Sequence, residues 1–191
     1  GSLFILNGTN GSIIYESTDY YTGYTMADGD LDDDGLKNDF AIGVRDINGA
    51  TGNNYGIVAL VYNGTTWNEN WTSNDATAAP IDIDISEVTG ENLVAFTDNA
   101  GGKAIVYYGN GTQKWITADR GTAYSITFFD QDSDGEEDEV AMGEYSELRI
   151  YTDTGTESTA TAPTGNEYEI EKIDLDEDGI YDDILISSNY H

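Results

Sequence analysis

Carboxylates recur at fixed offsets in three segments, DLDDDGLKND from Asp30, DQDSDGEEDE from Asp130 and DLDEDGIYDD from Asp174. Each places acids at positions 1, 3 and 5, a glycine at 6, and acids or an amide at 9 and 10. The sets Asp30/Asp32/Asp34, Asp130/Asp132/Asp134 and Asp174/Asp176/Asp178 can converge only if the backbone wraps around one point. Gly35, lacking a Cβ, permits the sharp turn that wrapping requires. Three facing carboxylates repel unless a hard cation sits between them, and all-oxygen ligation suits Ca²⁺. The expectation is three Ca²⁺ sites per chain, with Leu36, Glu136 and Ile180 each adding a backbone carbonyl from position 7.

The spacing of these loops implies the elements that carry them. Taking Asp84 as a decayed counterpart, the intervals between Asp30, Asp84, Asp130 and Asp174 are 54, 46 and 44 residues. The interval from Asp174 through the C-terminus and round to Asp30 is 47. Periods of this size indicate propellers or solenoids. An apolar strand leads into each acidic loop and a second leaves it, as in DFAIG, EVAMG and DILIS. A hairpin follows, in ALVYNGTTWNENW, AIVYYGNGTQKW and LRIYTDTGTEST, where Asn-Gly or Thr-Gly marks a tight turn. A tyrosine stands six residues ahead of each intact loop, at Tyr24, Tyr124 and Tyr168, while the broken unit has Ala78.

The fold expected is therefore an all-β propeller of four blades, each of four antiparallel strands, in one domain spanning 1–191. Residues 21–75, 76–120 and 121–164 form whole blades. The fourth takes strands 1 and 2 from 165–191 and strands 3 and 4 from the hairpin of 3–20, LFILNGTNGSIIY. The strand from Leu3 would then pair with the one ending near Ser187, leaving no open edge and favouring a monomer. If four blades were half of a larger ring, a dimer would result.

The loop-plus-strand unit resembles the FG-GAP or VCBS repeat of integrin-α-type propellers, with its D-x-D-x-D-G-x-x-D loop followed by an apolar strand. The resemblance covers three full units and one degenerate unit. The loops here run one residue longer than that pattern. The final ligand is either position 9 (Asn38, Asp138, Asp182) or position 10 (Asp39, Glu139, Asp183). Rings of that family have more than four blades. The resemblance implies metal loops on one face and partner binding on the other. On that second face the connection RDINGATGNNYG, with Arg45, Tyr55, Tyr20, Tyr21 and Arg120, is the expected contact surface.

Composition narrows the function. With 37 acids against 7 bases the net charge is −30, which disfavours nucleic acid and anionic membrane surfaces as partners. Three Ca²⁺ would leave about −24, a charge suited to a salty or calcium-rich milieu. No cysteine is available for disulfides or thiol chemistry, and no apolar run is long enough to insert directly into a membrane. Gly1-Ser2 reads as an expression scar and the chain begins mid-blade, as in an excised ectodomain. Sequons occur at Asn7, Asn10, Asn63, Asn70 and Asn110; three are NGT hairpin turns, where Asn-Gly serves the backbone. His191 is the sole histidine and is terminal, so a Ser-His-Asp arrangement is disfavoured. Trp67, Trp71 and Trp115 belong between blades rather than on sugar. The leading reading is a non-catalytic, calcium-stabilised adhesion or binding module, extracellular or at a cell surface, with a protein or glycan ligand. The alternatives are a polysaccharide-acting enzyme or lectin and a purely structural spacer.

Overall fold

Period-two apolar patterns and Asn-Gly turns lead this chain into hairpins, and the computed structural model contains strands and no helix among the described residues. Those residues are 2–17, 22–45, 54–88, 90–145, 147–161 and 166–189. Strands β1 (Leu3–Leu6) and β2 (Ile13–Ser17) form a two-stranded antiparallel sheet. A four-stranded meander follows, of β3 (Thr22–Gly29), β4 (Asp39–Arg45), β5 (Tyr55–Tyr62) and β6 (Trp67–Thr72). The next comprises β7 (Ile83–Val88), β8 (Glu91–Asp98), β9 (Lys103–Tyr108) and β10 (Gln113–Ile116). The third comprises β11 (Ala123–Phe129), β12 (Glu139–Glu144), β13 (Leu148–Tyr151) and β14 (Glu157–Thr161). Strands β15 (Asn166–Ile173) and β16 (Asp183–Asn189) end the series as a second two-stranded sheet.

The cores lie between successive sheets. Small residues on one face, Ala41 and Ala59, receive Phe96 and Ile105 of the following sheet. Ala95 and Ala104 receive Phe128, Val140 and Met142 in the same way. Because the middle sheet is covered on both sides, β8 and β9 are buried along almost their whole length and read as continuous apolar runs rather than alternations. The flanking sheets are packed on one side only: Leu3 and Tyr15 lie on Ile42, Val58 and Leu60, and Ile184 and Ile186 lie near Phe129 and Leu148.

Lateral hydrogen bonds tie neighbouring first strands. Asp82 accepts from Ile126 N at 2.8 Å, Asp84 from Phe128 N at 2.8 Å, and Ser125 Oγ from Ile170 N at 2.9 Å. Burial pushes the Asp82 carboxyl up to about 6, backbone donors opposing it. A second device uses tryptophan. Trp71 Nε1 donates to Gly109 O at 2.7 Å and Trp115 Nε1 to Asp153 O at 2.9 Å, each reaching 38 residues ahead. The ring then covers a positive-φ turn glycine, Gly111 or Gly155, where a Cβ would meet ring carbon at 2.5 or 2.7 Å. Trp71 also stacks on Tyr107 with centroids 5.2 Å apart. These two tryptophans pack between sheets, as their sequence positions implied. Replacing Trp71 by Phe removes the hydrogen bond and part of the contact area. The expected loss is about 1–2 kcal/mol, read as a lower denaturant midpoint at constant slope.

Two expectations are corrected. Asp84 does not open a decayed loop: it is the second residue of β7, opposite Ala95, and the ladder runs on to Val88↔Glu91. The whole ten-residue loop is absent here, and the turn closes through Gly90 with φ +80°. The pairing of the Leu3 strand with the Ser187 strand is also not found among the described residues, where β1–β2 and β15–β16 remain separate sheets. Each half has buried one face on its own neighbour, and three whole sheets intervene between them.

Candidate metal centre

The three acidic segments lie at the β3–β4, β11–β12 and β15–β16 connections, and each folds into the same hydrogen-bonded loop. The first aspartate caps the turn from inside. Asp30 accepts from Asp34 N at 3.1 Å and Gly35 N at 2.7 Å. Asp130 accepts from Asp134 N at 3.1 Å and Gly135 N at 2.8 Å, and Asp174 from Asp178 N at 3.2 Å and Gly179 N at 2.9 Å. The fifth residue then turns back on the chain, Asp34, Asp134 and Asp178 each accepting from the seventh residue's N–H at 2.9 Å. The glycine at position 6 has φ of 84°, 93° and 92°, and position 4, although never glycine, also lies at positive φ (Asp33 63°, Ser133 59°, Glu177 62°). Two left-handed residues so close in sequence curl the backbone around the carboxylates.

Ligand atoms of Asp130, Asp132 and Asp134 lie within 4.8 Å of one another, as do those of Asp174, Asp176 and Asp178. In the first loop the group meeting that distance is Asp30, Asp32 and Asp39. Position 10 therefore joins the cluster directly there, and it makes one repeated contact in all three loops. Asp39 accepts from Leu31 N at 2.9 Å, Glu139 from Gln131 N at 2.8 Å and Asp183 from Leu175 N at 3.4 Å. The second oxygen of Asp39 accepts from Tyr62 N at 2.8 Å, fixing the carboxylate to β5. Position 9 behaves differently in each loop. Asn38 Oδ1 is buried without a hydrogen-bond partner, Asp138 faces Lys114 at 3.9 Å, and Asp182 accepts from Ser133 Oγ at 3.3 Å. The carbonyl of Leu36 accepts from Asn38 N at 2.9 Å.

Burial, and after it the neighbouring like charges, raise several of these carboxyls above their ordinary values. Burial pushes Glu139 up to about 7, with Asp138, Asp132 and Asp130 adding to the rise. Asp32 is raised by burial and then by Asp39 and Asp34; Asp39 and Asp138 are raised chiefly by burial; Asp176 is raised chiefly by Asp178. Only oxygen donors are present in these groups, and Asp30 and Asp130 are buried. That donor set fits a hard divalent cation of the calcium type. The Asp174 loop is the most exposed of the three.

At the other end of the sheets, the Arg45 guanidinium lies over the Tyr55 ring, 5.8 Å from its centroid. Arg120 instead pairs with Glu157 at 3.4 Å, beside Arg149, which Glu144 holds at 2.9 Å. Tyr20 and Tyr21, and 46–53 of the connecting loop, lie outside the described residues. Sequence reasoning missed Asp98. Its buried carboxylate accepts from Thr77 N, Thr77 Oγ1 and Ala78 N at 2.7–3.0 Å and so ties the link from β6 to β7. It is not part of the repeated pattern.

No family model matches the chain, and no curated protein matches it. Solved structures do. Sqt1 of Saccharomyces cerevisiae matches with a TM-score of 0.69 at 8% identity, over 87% of this chain and 46% of that one. BBS1N, solved in complex with ARL6DN, matches with a TM-score of 0.68 at 13% identity, over 98% of this chain and 56% of that one. A protein from Bacteroides caccae matches at 0.52 and 13% identity, over 98% of this chain and 61% of that one. The fold is all-β and propeller-like. The chain spans about half the length of the solved structures it matches.

Proposed function

We propose that this chain is a calcium-stabilised, non-catalytic binding module of the FG-GAP/VCBS type, belonging to a secreted or cell-surface protein. One observation carries the reading: three loops at equivalent strand connections share the same capping bonds and the same two positive-φ positions, and each gathers three carboxylates, at positions 1, 3 and 10 in the first loop and 1, 3 and 5 in the other two. Asp30, Asp130 and Asp174 set each turn; positions 3, 5 and 10 supply further oxygen, and position 7 offers its carbonyl. The cation supplies the charge that lets these carboxylates converge. Ion binding thereby joins the first two strands of a blade, and the site is structural rather than a place of reaction.

The remaining strands complete this reading of the fold. The β15–β16 pair corresponds to strands 1 and 2 of a blade and β1–β2 to strands 3 and 4, so the two are complementary halves of one composite blade. A protein partner is supported by the likeness to BBS1N, which is solved bound to another protein, and the fold likeness alone supports no more than that. The surface proposed is the end opposite the ion loops, around Arg45 and Tyr55.

Calorimetric titration of chelated protein with Ca²⁺ tests the reading. The expected stoichiometry is three, the exposed Asp174 site filling at the highest calcium because its carboxylates are the best hydrated and the Leu175–Asp183 bond is long. A stoichiometry of zero or one would sink the proposal. Asp174→Asn should remove the weakest of the three binding events and leave the other two.

A further inference from the structure

One register position recurs in every first strand, three residues inside the end of its ladder: Met26↔Ile42, Ile85↔Val94, Ile126↔Met142 and Ile170↔Ile186. Ile85, Ile126 and Ile170 are 8%, 2% and 3% exposed beneath the preceding sheet, whereas Met26 is 62% exposed. A groove of ≈ 400 Å³ beside it is lined by Leu3, Tyr24, Met26 and Ile42. The outer half of this face, over Val58 and Leu60, is already covered by β1–β2. What is missing above Met26 is a pair of inner strands.

We propose that β15–β16 of a second copy of this chain fills that position, β16 of one copy laddering onto the free edge of β1 of another. The two half-sheets are complementary in kind, since one supplies strands 1 and 2 of a blade and the other strands 3 and 4. They are also complementary in their apolar faces. In β1, Leu3 and Ile5 face inward while Phe4 and Leu6 are exposed; in β16, Ile184 and Ile186 are covered while Leu185 is exposed. The intact ladders Phe40↔Leu60 and Val140↔Tyr151, carried over from the turn of each hairpin, put Ile184 opposite Phe4 or Leu6. In either register Leu185 falls on the face of Leu3 and Ile5 and so covers Met26. Phe4 and Leu6 fall on the face of Ile184 and Ile186, against the partner copy's β11–β14 sheet. Each exposed apolar row thus gains a cover that its own copy does not give it.

A second copy is favoured over self-closure because the two half-sheets of one chain stay unpaired with each other in this structure, β1–β2 and β15–β16 remaining separate two-stranded sheets. Two copies supply six whole blades and two composite ones, and a head-to-tail contact of this kind closes when the rotation completes a ring. Because each copy carries a net charge of −30, association through this apolar face strengthens as salt screens the repulsion. The inference rests on the composite blade and is independent of the ion sites.

Light scattering and thiol cross-linking test it, the absence of native cysteine leaving no background. The expected mass is twice the 20.7 kDa of one chain. Met26→Arg, at a position exposed in the single chain, should return the mass to one chain with unchanged circular dichroism. Mixing a Leu185→Cys chain with a Leu3→Cys or Ile5→Cys chain should give disulfide-linked pairs on oxidation. A single-chain mass with no mixed cross-link overturns the proposal. A disulfide closing within one chain of the Ile5→Cys/Leu185→Cys double variant also overturns it, while leaving the composite blade standing. Failure of the calcium titration alone would touch the ion reading and not this one.

Discussion

Chelation of calcium is expected to lower the melting temperature of this chain by roughly 15–30 °C. At free calcium 100-fold above Kd each site contributes about 2.7 kcal/mol, so three give about 8 kcal/mol. Domains of this class have about 5–15 kcal/mol in all, and a chain of this size melts about 2–4 °C lower for each kcal/mol lost. The loops are where the loss acts: without an ion, the converging carboxylates repel, and the first and second strands of three sheets are joined by strained turns. The pH dependence should reverse with calcium. In the ion-free protein Glu139 is raised to about 7, above its ordinary value. Its neutral form therefore favours folding below about pH 4.5, and that contribution is lost as pH rises through about 7. Ion-free protein should accordingly weaken from pH 6 to pH 8. Calcium-loaded protein should strengthen over the same range, because ligation needs the charged carboxylate and displaces the proton. Proton release on calcium addition at pH 7, abolished by Glu139→Gln, is the direct measurement. A melting temperature indifferent to chelator, or absent proton release, would contradict this account.

Much of the acidic loops was readable because the proposed ligand chemistry would fix residue type and spacing together. Asp30, Asp32, Asp34 and Gly35 have few other reasons to occur in that order three times over. The choice between positions 9 and 10 was not readable, since both carry side-chain oxygen. Their surroundings differ in the structure: position 10 accepts from the N–H of loop position 2 in all three loops, while position 9 has different surroundings in each. The broken unit misled for a related reason. Asp82 and Asp84 are acids near the expected register, yet they bond laterally to backbone donors of β11, and the loop has been deleted to a turn at Gly90. Spacing arguments assume that a decayed loop keeps its length.

The sheets themselves were legible from turn chemistry, as at Asn63, whose side chain accepts from Thr65 N and Thr66 N within the hairpin. The separation of the two terminal half-sheets was not. Strand type depends on local pattern, which the sequence carries; pairing between distant strands depends on which face reaches which edge. The exposure of Met26, against the burial of its three counterparts, is a property of the assembled sheets and leaves no mark in sequence.

Replacing Asp98 by Ala is expected to destabilise the protein by about 3–5 kcal/mol, whether calcium is present or not. The Asp98 side chain is fully buried at the end of β8. One oxygen accepts from Thr77 N at 2.9 Å and Thr77 Oγ1 at 2.7 Å; the other accepts from Ala78 N at 3.0 Å. Gly101 packs against it so closely that a Cβ there would meet Asp98 Oδ2 at 2.6 Å. Removing Asp98 takes the acceptor from the part-buried N–H groups of Thr77 and Ala78 and from the buried N–H of Gly101, which lies 3.4 Å from Oδ1; a buried donor left unsatisfied costs about 1–3 kcal/mol, and the emptied space adds to the loss. Asn is a graded control. Its carbonyl can keep one set of bonds, but its amide group opposes a second N–H, so Asp98→Asn should lose roughly half as much. The variants should show a reduced denaturant midpoint and faster amide exchange at Thr77 and Ala78 first, with calcium stoichiometry unaltered. Equal stability of Asp98→Ala and the unaltered chain would mean that the inter-sheet link is held by the apolar contacts of Ala76 with the β7–β10 sheet rather than by this carboxylate.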